Sequence, residues 1–120
     1  MKVVGADYER RAAQWLQDDQ GLPLVARNFR GKTGEIDIIA RDGAHLVFVE
    51  VRVRSNPRFA SAAASVDRRK QQRLLRTAQL FLRTHPELAQ LPCRFDVITF
   101  DPPQSGTEPG IRWIRGAFTA

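Results

Sequence analysis

The sequence is poor in the side chains that form disulfides and soft-metal sites. Its 120 residues include one cysteine, Cys93, and two histidines, His45 and His85. A single cysteine excludes an intrachain disulfide and a zinc cluster built of thiolates. Any metal site must therefore be made of oxygen ligands, which favours Mg²⁺ or a similar hard cation.

Long hydrophobic runs are missing as well. The longest uninterrupted apolar run is Leu46 to Val49, whereas a helix that spans a bilayer needs about 20 apolar residues. The first residues, Met1 to Val4, lack the apolar segment of a signal peptide. We therefore expect no membrane partner and a cytoplasmic location. The length and the 42% hydrophobic content predict a single globular domain over residues 1–120.

Lysine is rare, and the positive charge is concentrated. Of the 19 basic residues only Lys2, Lys32 and Lys70 are lysines, and the formal net charge is +6. Arginine can bind two phosphate oxygens at once, although a genome rich in arginine codons gives the same bias. The segment Asp67–His85 holds six basic residues and one acid, whereas Met1–Ala26 holds three basic residues and four acids. A concentrated basic face is typical of a nucleic-acid-binding protein.

Hydrophobic periodicity predicts the element order αβββαβ, with one further short strand. Apolar residues at helical spacing predict a first helix that ends near Gly21 and a second helix over Asp67–Arg83. The predicted strands are Leu22–Phe29 at an edge, Glu35–Ala40, His45–Arg54 at the centre, Arg94–Phe100 and Ile111–Arg115, and the predicted loops include Arg30–Gly34. A crossover through the second helix makes the strands before and after it parallel, which predicts an α/β fold with a mixed sheet and an antiparallel hairpin flanked by helices.

The two middle strands are joined by a strong hairpin signal. Asp42-Gly43 is typical of a two-residue turn between antiparallel strands. With that turn, Asp37 lies opposite Phe48 and Glu35 lies opposite Glu50. Two like charges directly opposed are destabilising unless a cation lies between them, one is protonated, or a bulge changes the register.

Side-chain alternation places Asp37 and Glu50 on the same face of this hairpin. Diagonal neighbours of this kind lie about 7 to 8 Å apart, and two carboxylates can close that gap around one cation. Arg52 and Arg54 follow on the same face. Alternating polar residues near a strand end also occur where one face simply reaches solvent, so the pattern alone leaves both interpretations open.

The second helix places one lysine toward the sheet and several arginines away from it. A helical wheel built on its apolar stripe turns Lys70 and Gln71 inward, one turn before that stripe begins. The Lys70 ammonium then either reaches water or lies over the acidic face. The predicted nucleic-acid contacts are Arg54, Arg58, Arg69, Arg73 and Arg76.

Several motifs together resemble the YraN family of small bacterial proteins. The longest is GEIDIIARDG at Gly34–Gly43, followed by LVFVEVRVR at Leu46–Arg54. Shorter matches lie at Ala26–Arg30, Val66–Lys70, Arg94–Val97 and Gly116–Phe118. That family is similar to the restriction-endonuclease-like PD-(D/E)xK nucleases, and among them to archaeal Holliday-junction resolvases. The resemblance implies the same αβββαβ core.

The resemblance also implies roles for individual residues. Asp37 and Glu50 match the two acids of the nuclease motif, Glu9 matches a glutamate on the first helix, and Arg52 stands where the motif has lysine. Asp37, Glu50, Glu9 and the Val51 carbonyl would then hold Mg²⁺ or Mn²⁺. Arg52 cannot act as a general base because a guanidinium stays protonated, but it and Lys70 can stabilise negative charge.

Three functions follow from these features. The first is a Mg²⁺-dependent endonuclease acting on structured or branched DNA, with a homodimer implied by the related resolvases. The alternative is a nucleic-acid-binding module of the same fold without catalysis, in which Arg52 marks the loss of activity. The third is a protein-interaction adaptor that uses the arginines of the second helix.

Overall fold

The computed structural model describes residues 4–53, 66–101 and 110–118. Its helices are α1 (Val4–Gln14) and α2 (Arg68–Thr84), and its strands are β1 (Leu24–Gly31), β2 (Gly34–Asp42), β3 (His45–Val53), β4 (Cys93–Phe100) and β5 (Ile111–Phe118). A π-helical turn over Trp15–Asp19 extends α1, and a 3₁₀ turn over Pro86–Leu88 follows α2. The predicted αβββαβ order and the further strand are confirmed. Within the described ranges, no helix combines the length and hydrophobicity needed to cross a membrane.

The five strands form one mixed sheet in sequence order. Neighbouring strands are antiparallel except β3 and β4, which are parallel and are joined through α2. β3 is central and β1 lies at an edge, as predicted. Pro23 comes directly before β1, where its missing N–H costs no ladder hydrogen bond.

The two helices cover opposite faces of the sheet. One cluster packs α1 against one face and consists mainly of Ala12, Leu16, Ile38, Val47, Val49 and Ile98. The other packs α2 against the opposite face and consists mainly of Leu74, Ala78, Phe81, Leu46, Phe48 and Phe95. Neighbouring residues of β3 therefore enter different clusters, because side chains alternate along a strand. This arrangement holds the strand carrying Glu50 and Arg52 between α1 and α2.

The connection between β1 and β2 is shorter than predicted. The expected loop over Arg30–Gly34 is wrong, since β1 runs to Gly31 and the turn is only Lys32-Thr33. Gly34 has φ +145°, a backbone conformation that residues with a side chain rarely adopt. At Gly31 the limit is space, because a Cβ there would lie 2.9 Å from Leu80 Cδ1. Glycine at both positions thus allows a tight turn that packs directly on α2.

The turn between β2 and β3 is Gly43-Ala44 rather than Asp42-Gly43. Asp42 pairs with His45 and Ile39 pairs with Phe48, so the predicted pairing of Asp37 with Phe48 is wrong by two residues. Gly43 has φ +59° and supplies the positive φ that such a turn requires. A shift of two residues does not by itself change which face a side chain lies on. Ile36, however, packs in the α2 cluster and Ile38 in the α1 cluster, so the predicted alternation along β2 is interrupted between these two residues.

The last strand, β5, continues beyond the predicted end at Arg115 and reaches Phe118. Its pairing with β4 is irregular there, and the buried Asp96 accepts a backbone N–H in this region. Asp96 on β4 is 1% exposed. Its carboxylate accepts hydrogen bonds from Trp113 Nε1 at 2.8 Å and from the Gly116 backbone N–H at 2.9 Å. It also accepts two bonds from Arg94, each 3.0 Å long. Asp96 thus provides the acceptor for the N–H of Gly116, which has φ +60° and lies where the pairing of β5 with β4 is irregular.

Candidate metal centre

The site lies where the regular pairing of β2 with β3 ends. The described pairs of this ladder stop at Ile38 and Val49, although both strands continue. Beyond that pair, the Val51 backbone N–H donates to Asp37 Oδ2 at 2.8 Å. This hydrogen bond from strand to side chain fixes the Asp37 carboxylate against β3.

Three carboxylates from two elements meet at this point. Glu9 comes from α1, whereas Glu35 and Asp37 come from β2. One oxygen of each lies within 4.8 Å of the others. Asp37 is 9% exposed, and Glu9 and Glu35 are half-buried. An all-oxygen donor set of this kind suits Mg²⁺ or Mn²⁺.

Glu35 is the member of this cluster that the sequence analysis missed. It was expected opposite Glu50, but it pairs with Arg30 of β1, whose Nε lies 3.7 Å from its carboxylate. The predicted opposition of Glu35 and Glu50 is wrong, because the β2–β3 register is shifted by two residues and its pairs stop at Ile38 and Val49. The available signal was the spacing of Glu35 and Asp37, two residues apart on one strand. Because side chains alternate between the two faces of a strand, residues two positions apart point to the same face.

The raised pKa of Asp37 favours a bound proton in this cluster at neutral pH. Burial, and next the charge of Glu50, raise the pKa of Asp37 to about 8, although the Val51 N–H opposes this shift. The pKa of Glu9 is also raised, mainly by burial, while its hydrogen bond with Asp37 acts in the opposite direction. A divalent cation would replace this proton and relieve the repulsion among the acids.

Asp37→Asn should stabilise the metal-free protein at neutral and alkaline pH. The unfolded chain loses the Asp37 proton near pH 4, whereas the folded protein keeps it until pH of about 8. The contribution of this proton to the free energy of unfolding is therefore fully present below pH 4, and it declines as the pH rises toward 8. We expect Asp37→Asn to remove this decline and to raise the free energy of unfolding at pH 8 by roughly 1 to 3 kcal/mol.

Thermal unfolding in EDTA between pH 5 and pH 9 measures this effect. Asp19→Asn, at an exposed position, is the matched control and should keep the wild-type pH dependence. An Asp37→Asn protein whose melting temperature is lower than that of the wild type at pH 8 would contradict the prediction.

Glu50 lies beside the cluster and forms ion pairs with two basic side chains. It is 5% exposed, and its Oε2 lies 3.1 Å from Lys70 Nζ and 3.4 Å from Arg52 Nη1. Lys70 reaches it from the first turn of α2, where Asp67 caps the helix by accepting the Lys70 backbone N–H at 2.8 Å. Of the two alternatives for Lys70, the structure shows the ammonium at the acidic face. Glu50 is not part of the three-acid group, but its charge acts on Asp37.

The arginines that were predicted to contact nucleic acid are exposed on α2 or lie outside the described residues. Arg69, Arg73 and Arg76 are exposed. Arg54 and Arg58 lie outside the described residues. A cavity of about 130 Å³ lies beside the contact between the β1–β2 turn and α2, and it is lined by Thr33, Gly34, Glu35, Lys70, Arg73, Leu74 and Thr77. This cavity connects the acidic cluster with the basic surface of α2 through Glu35 and Lys70.

Comparison with known proteins places the chain in a family. Residues 8–100 match the model described as "Uncharacterised protein family UPF0102". A UPF0102 protein of Xanthomonas oryzae pv. oryzae (strain PXO99A) is 52% identical over 116 residues, which cover 97% of this chain and 91% of that protein. A UPF0102 protein of Alcanivorax borkumensis is 49% identical over 117 residues, which cover 98% of this chain and 92% of that protein. Because the family model covers most of its length and these relatives are about half identical to it, the chain belongs to the UPF0102 family.

Proposed function

We propose that this protein is a Mg²⁺- or Mn²⁺-dependent endonuclease that acts on branched or otherwise structured DNA. The proposal places it in the YraN group and the restriction-endonuclease-like superfamily that its motifs resemble. The observation that carries it is the carboxylate cluster of Glu9, Glu35 and Asp37 next to the Glu50–Lys70 pair. Acids that bind a cation and a lysine that binds a phosphate are thus present in one place.

The proposed cation would be held by the three clustered carboxylates, and Glu50 and the Val51 carbonyl would supply further oxygen ligands from β3. The donor set fits, because it consists of oxygen atoms alone and includes a buried acid whose pKa is raised to about 8 by burial and by neighbouring acids. When bound, such a cation polarises the phosphate and makes a bound water more acidic.

The chain's own residues have separable roles. Asp37 is fixed by the Val51 N–H and therefore supplies a rigid ligand. Lys70 and Arg52, both near Glu50, provide positive charge next to the phosphate that is cut. Arg52 orients water or phosphate and does not accept a proton, since a guanidinium remains charged at any working pH.

Cleavage of a labelled four-way junction, compared with a linear duplex of the same sequence, tests the proposal. We expect cleavage of the junction with Mg²⁺ or Mn²⁺ and none in EDTA. Binding of both DNA molecules without cleavage of either, at any tested concentration of either cation, would contradict nuclease function and favour the binding module.

The exposed arginines of α2 should dominate the salt dependence of DNA binding. Each neutralised phosphate on duplex DNA contributes a slope of about −0.9 to the plot of log K against log salt, so four contacts give roughly −3.6. Arg73 lines the cavity next to the acids. We expect Arg73→Ala to reduce the steepness of this slope by nearly one unit and to leave sequence preference unchanged.

Arg83→Ala is the matched control for this experiment. Arg83 is also exposed and lies in the last turn of α2, on the far end from Lys70. The Arg83→Ala variant should therefore leave the slope of log K against log salt unchanged. Binding that is independent of salt, or equal slopes for both variants, would exclude this face of α2 as the DNA-binding surface.

A non-catalytic nucleic-acid-binding module is the second candidate, and Arg52 favours it. A lysine at this position can lose its proton when partly desolvated, whereas arginine cannot. We therefore expect Arg52→Lys to increase any cleavage rate, as measured in single-turnover reactions on the junction at fixed Mg²⁺. Equal or lower activity of the variant would show that Arg52 has its own role in the reaction.

A further inference from the structure

Asn28 has an unusual backbone conformation next to the acidic cluster. It lies on β1 between the pairs Arg27–Ile38 and Phe29–Ile36, which places it across from Asp37. Its φ is +54°, and among the described residues it is the only non-glycine residue with a positive φ. Asparagine enters this left-handed region more readily than most residues.

The Asn28 side chain contacts two of the three clustered carboxylates. Its amide nitrogen lies 2.6 Å from Glu9 Oε1 and 3.0 Å from Glu35 Oε2. This orientation follows from the acceptors, because the opposite one would direct the amide oxygen at carboxylate oxygens. The two N–H groups of one amide thus connect α1 to β2.

We propose that Asn28 is a positioning residue that holds Glu9 and Glu35 in place for a divalent cation. The inference rests on the proposed metal-dependent function and adds to it a residue that does not itself bind the cation. Two carboxylates this close repel each other, and an amide orients both. A lysine or arginine at this point would neutralise the charge that attracts the cation, whereas a neutral amide leaves that charge intact.

The positive φ makes Asn28→Gly a suitable variant. Glycine adopts φ +54° without strain, so the substitution removes the amide and keeps the backbone. Loss of a partner that orients metal ligands lowers metal affinity by about 10- to 100-fold. We expect Mn²⁺ affinity, measured by calorimetry on the full chain, to fall by at least about 10-fold with little change in melting temperature.

A double-mutant cycle separates positioning from a general structural effect. If Asn28 acts through Glu35, the loss caused by Asn28→Gly should shrink when Glu35→Gln is already present. A loss of equal size in both backgrounds would overturn the positioning role, even if Asn28→Gly also lowers the melting temperature.

The same titration distinguishes this inference from the proposed function. Wild-type binding of Mn²⁺ together with unchanged affinity of Asn28→Gly would overturn the role of Asn28 alone. Absence of Mn²⁺ binding by the wild type would overturn both the positioning role and the metal-dependent nuclease.

Discussion

Replacing Asp37 by alanine is expected to abolish Mg²⁺-dependent cleavage while DNA binding without metal stays the same or becomes tighter. Asp37 is the most buried acid of the cluster and the one fixed by the Val51 N–H. Its loss removes both a ligand and the contact that connects the cluster to β3. We expect a fall of roughly 10³-fold or more in the single-turnover rate, equivalent to about 4 kcal/mol of barrier.

Metal-free binding, measured above about pH 8 where Asp37 is ionised, should respond in the opposite direction, since the substitution then removes a negative charge that repels phosphate. Asp19→Ala makes the same change of charge at an exposed position and should alter neither rate nor affinity. Cleavage by the Asp37→Ala protein at more than a tenth of the wild-type rate would contradict the proposed role of this residue.

Replacing Asp96 by alanine is expected to cause the largest loss of stability. The substitution leaves Trp113 Nε1, the Gly116 N–H and most of the Arg94 guanidinium without their acceptor. Arg94 keeps only its 2.8 Å bond to Asp42 Oδ2. Removing one partner of a buried ion pair costs about 3 to 5 kcal/mol. We expect a fall in melting temperature of roughly 10 to 20 °C.

Thermal unfolding monitored by circular dichroism measures this loss, with the exposed Asp18→Ala as control. Because Asp96 serves β4 and β5 rather than the acidic cluster, Mn²⁺ affinity at low temperature should remain that of the wild type. A melting temperature within 3 °C of the wild type would show that the bonds to Asp96 contribute little to stability.

The periodic parts of the chain could be predicted from the sequence. The second helix was expected over Asp67–Arg83 and is observed over Arg68–Thr84, with Asp67 as its cap. The same helical wheel turned Lys70 toward the sheet and left two positions open for its ammonium, of which the structure shows the contact with Glu50. In both cases the pattern of apolar residues determines which face is buried, and burial determines where the polar residues of that helix lie.

The irregular parts could not be predicted in this way. Asp37 and Asp96 each accept a backbone N–H of a neighbouring strand, from Val51 and Gly116 respectively. Such bonds change local pairing and leave no periodic signal in the sequence. The positive φ of Asn28 depends on contacts with elements distant along the chain. The predicted ligands were therefore Asp37, Glu50 and, from the resemblance, Glu9, together with the Val51 carbonyl, whereas the acidic cluster contains Glu35 in place of Glu50.

Diffraction from a crystal soaked in Mn²⁺, measured near the manganese absorption edge, would show whether these acids bind a cation, because the anomalous signal locates the metal without reference to activity. We expect a peak about 2.2 Å from a carboxylate oxygen of Asp37, with Glu9 and Glu35 among the remaining ligands. Absence of a peak at millimolar Mn²⁺, or a peak bound to other acids while Asp37 keeps its bond to the Val51 N–H alone, would contradict this expectation.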